Sequence, residues 1–127
     1  MPLVRISLMQ GKPAGFGKKV GAAVYRTMME TINVPARDNF SIITEHDKNG
    51  LVYDPDYLDI RRSDGVIFIQ ITLNEGRTLE AKKHFYKTLA ERLNRELDVR
   101  MEDVLINLVE VKKENWSFGN GIAQYAK

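Results

Sequence analysis

The chain has 127 residues, 43% hydrophobic and 28% charged, which supports one domain with its own core and argues against an unstructured chain. Its 19 Lys and Arg against 17 Asp and Glu leave a net charge of +2, scattered rather than blocked, so charge does not suggest a nucleic-acid partner. With no cysteine there is no disulfide framework or thiolate nucleophile, His46 and His84 make no zinc set, and no apolar run approaches the ~20 residues of a membrane span.

No charged-then-apolar leader opens the chain, so a cytoplasmic location is expected. In chain order, Pro2 comes first. Having no backbone N–H, it suits the first residue of a strand. It is also the one residue type whose nitrogen becomes a secondary amine once Met1 is removed, so it is either a strand starter or a proton carrier. Leu3 to Leu8 alternates imperfectly and predicts a strand, broken by Gln10-Gly11-Lys12-Pro13. A helix follows, with Val20, Val24, Met28 and Ile32 on one stripe and Gly15, Gly17 and Gly21 weakening its first turns. Val34-Pro35 ends it, Asn39 to Thr44 reads as a second strand, and Asp47-Lys48-Asn49-Gly50 as a turn.

After an acidic, tyrosine-bearing loop without readable periodicity, Gly65 to Leu73 predicts a third strand. Thr78 is a good N-cap for a helix carrying Leu79, Tyr86, Leu89, Leu93 and Leu97, and Val104 to Val111 is a fourth strand. A shift of 65 residues pairs Val4 with Ile69, Ile6 with Ile71, Gly11 with Gly76, Lys12 with Arg77, Asp38 with Asp103 and Glu45 with Glu110. The chain is therefore expected to be a single domain, 1–127, of duplicated β-α-β units at about 2–47 and 65–112, with an extension at 113–127. The fold class is α+β, a four-stranded mixed sheet with two helices on one face and a small C-terminal hairpin. Ile67, Ile69 and Ile71, with Val66, Phe68 and Leu73 nearby, suggest a third strand buried on both faces. Either self-association covers the second face, or the chain is a ferredoxin-like monomer with an apolar sheet.

Several segments are candidates for chemistry. Leu73-Asn74-Glu75-Gly76-Arg77-Thr78 sets a glycine turn and an arginine at a helix start, where Arg77 either docks a carboxylate or is merely solvated. Asp38 either caps a turn or orients water. Trp116 and Phe118, beside Gly119-Asn120-Gly121, are either core residues or the wall of a small pocket.

Pro2, the duplicated unit, Gly76-Arg77-Thr78 and Trp116-x-Phe118-Gly119-x-Gly121 together resemble the tautomerase superfamily. The Leu-x-x-Gly-Arg-Thr stretch with Glu80, Lys82 and Lys83 is similar to 4-oxalocrotonate tautomerase and its relatives. Val34 to Asp38 and Asn115 to Gly119 look more like the malonate semialdehyde decarboxylase subgroup. The resemblance spans nearly the whole chain. It implies an enzyme, trimeric when built from two fused units, with Pro2 as general base or acid on a small keto or enol acid. By position it also implies that Arg77 binds the substrate carboxylate, that Asp38 assists, and that Trp116, Phe118 and Tyr125 form the hydrophobic wall. One position departs: the decarboxylase pattern has an arginine two residues before the equivalent of Arg77, and Glu75 stands there.

The chemistry agrees with those roles. A free α-amino group titrates near about 7.7 to 8, and an apolar wall pushes that down toward a base useful at neutrality. An arginine stays charged, grips a carboxylate bidentately and stabilises a developing enolate. No metal or organic cofactor is required. Tautomerisation is expected over decarboxylation or hydration, and the alternative from another class is a non-catalytic trimeric binding protein.

Overall fold

The computed structural model describes residues 2–126. Strand β1 is Leu3–Met9, helix α1 Phe16–Thr31, β2 Ser41–His46, β3 Ile67–Asn74, helix α2 Leu79–Leu97 and β4 Val104–Val111. Met1, on whose removal the amine reading of Pro2 depends, lies outside the described residues. The sheet order is β2-β1-β3-β4, with parallel outer pairs and an antiparallel central pair. This is the mixed four-stranded α+β sheet expected from the sequence.

Alternation along the central strands decides where the helices go. Val4, Ile6 and Leu8 of β1 and Ile67, Ile69, Ile71 and Leu73 of β3 are buried in one cluster with Val20, Val24 and Met28 of α1 and Phe85, Leu89 and Leu93 of α2. Both helices therefore cover the same face. The stripe read from the sequence of α1 is the buried one. Its glycines do more than weaken it: a Cβ on Gly17 would stand 2.5 Å from Ile43 Cγ2, so glycine is what lets α1 approach β2 so closely. On α2, Leu79 is 60% exposed and Phe85 takes the core position, because Leu79 lies round the helix from the Phe85–Leu89–Leu93 stripe.

The two β-α-β units repeat in backbone detail. Val4 pairs Ser41 and Ile69 pairs Ile106, while Ile6 pairs Ile43 and Ile71 pairs Leu108. Both helices end through a left-handed residue, Asn33 (φ 58°) and Asp98 (φ 57°), followed by Val34 N–H to Met28 O at 3.3 Å and Val99 N–H to Leu93 O at 3.2 Å. In the antiparallel centre Val4 faces Ile71 and Ile6 faces Ile69, the same pair seen from either strand, so the local two-fold passes through Arg5 and Gln70. The helices meet across the same axis, where Arg92 Nη1 donates to Thr27 Oγ1 at 2.8 Å.

Two expectations need correcting. The second face of β3 carries Phe68, Gln70, Thr72 and Asn74, and beside them Leu105 and Val109 of β4 are exposed, so that face is mixed rather than wholly apolar. The C-terminal hairpin is not formed: after β4 the described residues hold a 3-10 turn at Lys113–Asn115 and no strand. Gly119 (φ 139°), Asn120 (φ 59°) and Gly121 (φ 69°) place three positive φ values in a row, which coils the backbone into a loop instead of extending it. The loop before β3 is also ordered from within, Arg62 Nη1 donating to the carbonyls of Tyr57 (3.0 Å) and Ile60 (3.3 Å). Among the described residues, no helix is long and apolar enough to cross a membrane.

Candidate active site

Pro2 is buried at the entry to β1. The ladder from Leu3 opposite Thr72, continued one step, sets it across from Leu73 and next to Asn74. On its other side Val4 N–H donates to Phe40 O at 3.0 Å, and the Val4–Ser41 register brings the Pro35–Asp38 turn toward the same strand entry. A proline is well placed there for a physical reason: the end of a strand is where a missing N–H leaves the ladder intact.

Arg77 comes from the turn after β3. Gly76, at φ 119°, reverses the backbone, and Thr78 caps α2 by accepting from Ala81 N–H at 3.1 Å. Between them Arg77 is half-buried. Its Nε donates to Ile32 O at 3.1 Å and its Nη1 to Asn74 O at 3.2 Å, while Nη2 has no acceptor among the described residues. Two backbone carbonyls hold the guanidinium plane and leave one edge available to an anion.

Asn74 also reaches the aromatic wall. Its Oδ1 accepts from Trp116 Nε1 at 2.8 Å, Trp116 stacks on Phe118 with ring centroids 5.5 Å apart, and Phe118 meets Tyr125 edge-on at 4.8 Å. The loop is closed by Gln124, which accepts from Phe118 N–H and donates to Gly119 O, both at 2.9 Å. Trp116 and Phe118 are half-buried, whereas Tyr125, at 42% exposure, forms the outer rim.

Asp38 is held in its turn by its own N–H to Pro35 O at 3.2 Å, and Tyr25 OH accepts from Arg37 N–H at 2.6 Å. Burial pushes the Asp38 carboxyl above its ordinary value, against the pull of nearby positive charge that includes Arg77. Asp38 and Arg77 therefore share one electrostatic neighbourhood although a strand, a long loop and a second strand separate them along the chain. Beyond Arg77, a hydrogen bond from Lys82 (2.8 Å) holds the Glu110 carboxyl below its ordinary range, and Gly76 N–H and Arg77 act in the same direction.

The structure thus brings Pro2, Asp38, Arg77 and Trp116 to one end of the central strand pair, with Phe118 and Tyr125 layered outward. Sequence reasoning missed Asn74, which ties arginine to tryptophan, and also Tyr25, Gln124 and the Lys82–Glu110 pair. Glu110 carried a signal in its repeat partner Glu45, and Asn74 and Lys82 stood inside the singled-out stretch around Arg77, but their partners were not legible there. Among the described residues, no group of three or more His, Cys, Asp or Glu is arranged to hold a metal ion.

A family model described as Tautomerase enzyme matches residues 38–119. The chain is 44% identical over 124 residues to the probable tautomerase YusQ of Bacillus subtilis (strain 168), covering 98% of each. Among solved structures it is similar to malonate semialdehyde decarboxylase, a protein with decarboxylase and hydratase activities (TM-score 0.90, 29% identity, 97% of this chain and 95% of that one). A fused 4-OT wild-type symmetric trimer shares the fold at TM-score 0.78 and 20% identity, covering 98% of each chain.

Proposed function

The chain belongs to the tautomerase enzyme family, and from that premise we propose that it interconverts the keto and enol forms of a small carboxylic acid, with the Pro2 nitrogen moving the proton. The observation that carries this reading is the convergence of a buried Pro2 with Arg77, whose Nη2 is left without an acceptor among the described residues.

With Met1 removed, Pro2 is a secondary amine at the end of β1. Arg77 pairs with the substrate carboxylate through its free edge and stabilises the enolate as charge develops. Pro2 takes the enol hydroxyl proton and returns a proton to the adjacent carbon, so nothing is gained or lost overall. Asp38, close to the entry of β1, favours the protonated amine while it lasts. Trp116 and Phe118 limit access of water to the reacting atoms. Neither a metal nor an organic cofactor has a part in this scheme.

A second reading is decarboxylation or hydration, supported by the likeness to malonate semialdehyde decarboxylase. Glu75 weighs against it, because its carboxylate repels the anion of a β-keto acid where the resemblance leads one to expect an arginine. Assembly is proposed as a homotrimer, with the mixed second face of the sheet turned inward, and the compartment as the cytoplasm.

The test is enol-to-keto conversion of phenylpyruvate by protein whose intact mass shows Met1 absent. Pro2→Ala and Arg77→Ala should each lower kcat/KM by about 100-fold or more, the size of a lost general base or a lost charge-assisted carboxylate pair. Unchanged rates in both variants would sink the proposal.

A further inference from the structure

The local two-fold gives the site a counterpart at the opposite end of the central strand pair. There a cleft of about 440 Å³ is lined by residues that include Gly11, Lys12, His46, Lys48, Asp64 and Gly65. That volume falls in the range of small-molecule sites. Gly11-Lys12 repeats Gly76-Arg77 in sequence and in backbone, with φ of 107° at Gly11 and 119° at Gly76. Asp103 stands where Asp38 stands in the first unit. Lys12 Nζ lies 3.9 Å from the point a Gly65 Cβ would occupy, and Asp103 Oδ2 3.2 Å from it, so a cation and a carboxylate again flank the entry to a central strand.

The two ends differ in what is left over. Asp103 is 2% exposed and accepts from Ser63 N–H (2.8 Å) and Ser63 Oγ (2.6 Å). Asp64 accepts from Tyr53 OH (2.7 Å) and pairs with Lys48 (3.4 Å), and Asp47 takes the N–H groups of Asn49 and Gly50. Each carboxylate around the cleft is therefore already supplied with donors. Lys12 on the cleft wall is not matched in the same way. Among the described residues the Lys12 ammonium has no carboxylate partner and lies over the Phe16 ring at 5.2 Å, while His46 Nε2, closed off from solvent, has no hydrogen-bond partner. An unpaired ammonium beside satisfied carboxylates selects an anion.

The chain also runs unbroken through this end. Ile67 occupies the place of Pro2, and Asp64-Gly65-Val66 leads into it, so no amine is available to move a proton. We infer that this cleft is a second, non-catalytic site that binds a small carboxylate anion through the Lys12 ammonium. The cleft and its unpaired ammonium stand independently of the proposed reaction; the choice of a carboxylate rests on reading Arg77 as a carboxylate clamp.

The experiment is a titration of 15N-labelled protein with pyruvate, following the amide signals of Gly11, Gly65 and Gly76. Saturable shifts at Gly11 and Gly65, lost in Lys12→Met while the rest of the spectrum stays in place, are expected. No shift at Gly11 and Gly65 up to 20-fold excess over about 1 mM, the weak end of the affinity scale, would overturn the inference, as would shifts that persist in Lys12→Met. An equal response to inorganic phosphate would overturn the carboxylate assignment. Gly76 reports on the Arg77 turn separately, so silence there with shifts at Gly11 and Gly65 would count against the proposed reaction and leave the second site standing.

Discussion

Trp116 and Arg77 are joined through a single residue: Asn74 takes the indole N–H on its side-chain oxygen at 2.8 Å and the guanidinium Nη1 on its backbone oxygen at 3.2 Å. The aromatic wall and the anion clamp are thereby set relative to each other by the last residue of β3. Asn74→Ala keeps the backbone acceptor and removes the other, leaving the half-buried indole N–H unmatched at about 1–3 kcal/mol. The expected result is a rise in KM for phenylpyruvate of several-fold with Arg77 still in place, measured by steady-state kinetics. Asn74→Asp retains the acceptor but sets a negative charge beside the anion clamp, so it should recover the indole contact in Tm without recovering KM.

Asp38 links stability to pH with a definite sign. Burial raises its carboxyl above the ordinary 3.8, so the folded chain holds that proton more tightly than the unfolded chain does. The stability this group contributes is whole below 3.8 and is lost as pH climbs through the raised value. Asp38→Asn abolishes that loss. The variant should therefore have a higher Tm than the parent at pH 7, a gap that narrows at pH 4, while its tautomerase rate falls by about 10-fold, less than the roughly 100-fold or more of a group that itself transfers the proton. Equal Tm values at pH 7 would contradict the burial argument.

Arg92 ties the helices of the two units together. It is 11% exposed, donates to the fully buried Thr27 Oγ1 at 2.8 Å, and makes a forked pair with Glu30 at 2.8 and 2.9 Å. Arg92→Met keeps the packing stem and strips the hydroxyl and the carboxylate of their donor. A loss of about 1–3 kcal/mol follows, read as a fall of several degrees in Tm. The phenylpyruvate rate below that temperature should not change, since the helix pair lies away from Pro2.

Glu75 offers the sharpest contrast between the two chemical readings. It is exposed, two residues from Arg77, and among the described residues its one hydrogen bond runs from its backbone N–H to Val111 O at 2.9 Å. Reversing its charge should leave the fold intact. Glu75→Arg is expected to raise decarboxylation of malonate semialdehyde at least several-fold, in keeping with roughly 1 kcal/mol for a charge pair at a wet site. If the rate does not move, Glu75 is not what suppresses that reaction.

The sequence by itself determined the elements and their repetition. Alternation in β1 and β3, the four-residue stripe of α1 and the 65-residue correspondence are patterns among near neighbours, or between identical segments, and need no tertiary knowledge. It also identified Pro2, Asp38, Arg77 and Trp116 one at a time, each with two readings left open. What only the tertiary structure decided is which of them meet. The antiparallel β1–β3 register puts Leu73 and Asn74 beside Pro2, the parallel β1–β2 register brings in the Asp38 turn, and a coiled C-terminal loop in place of the expected hairpin lays Trp116 on Asn74. These are contacts between segments tens of residues apart, set by burying one face of four strands under two helices. The Asn74 link escaped sequence reading for that reason. An asparagine at a strand end has no local pattern that says whether its side chain faces water or an indole.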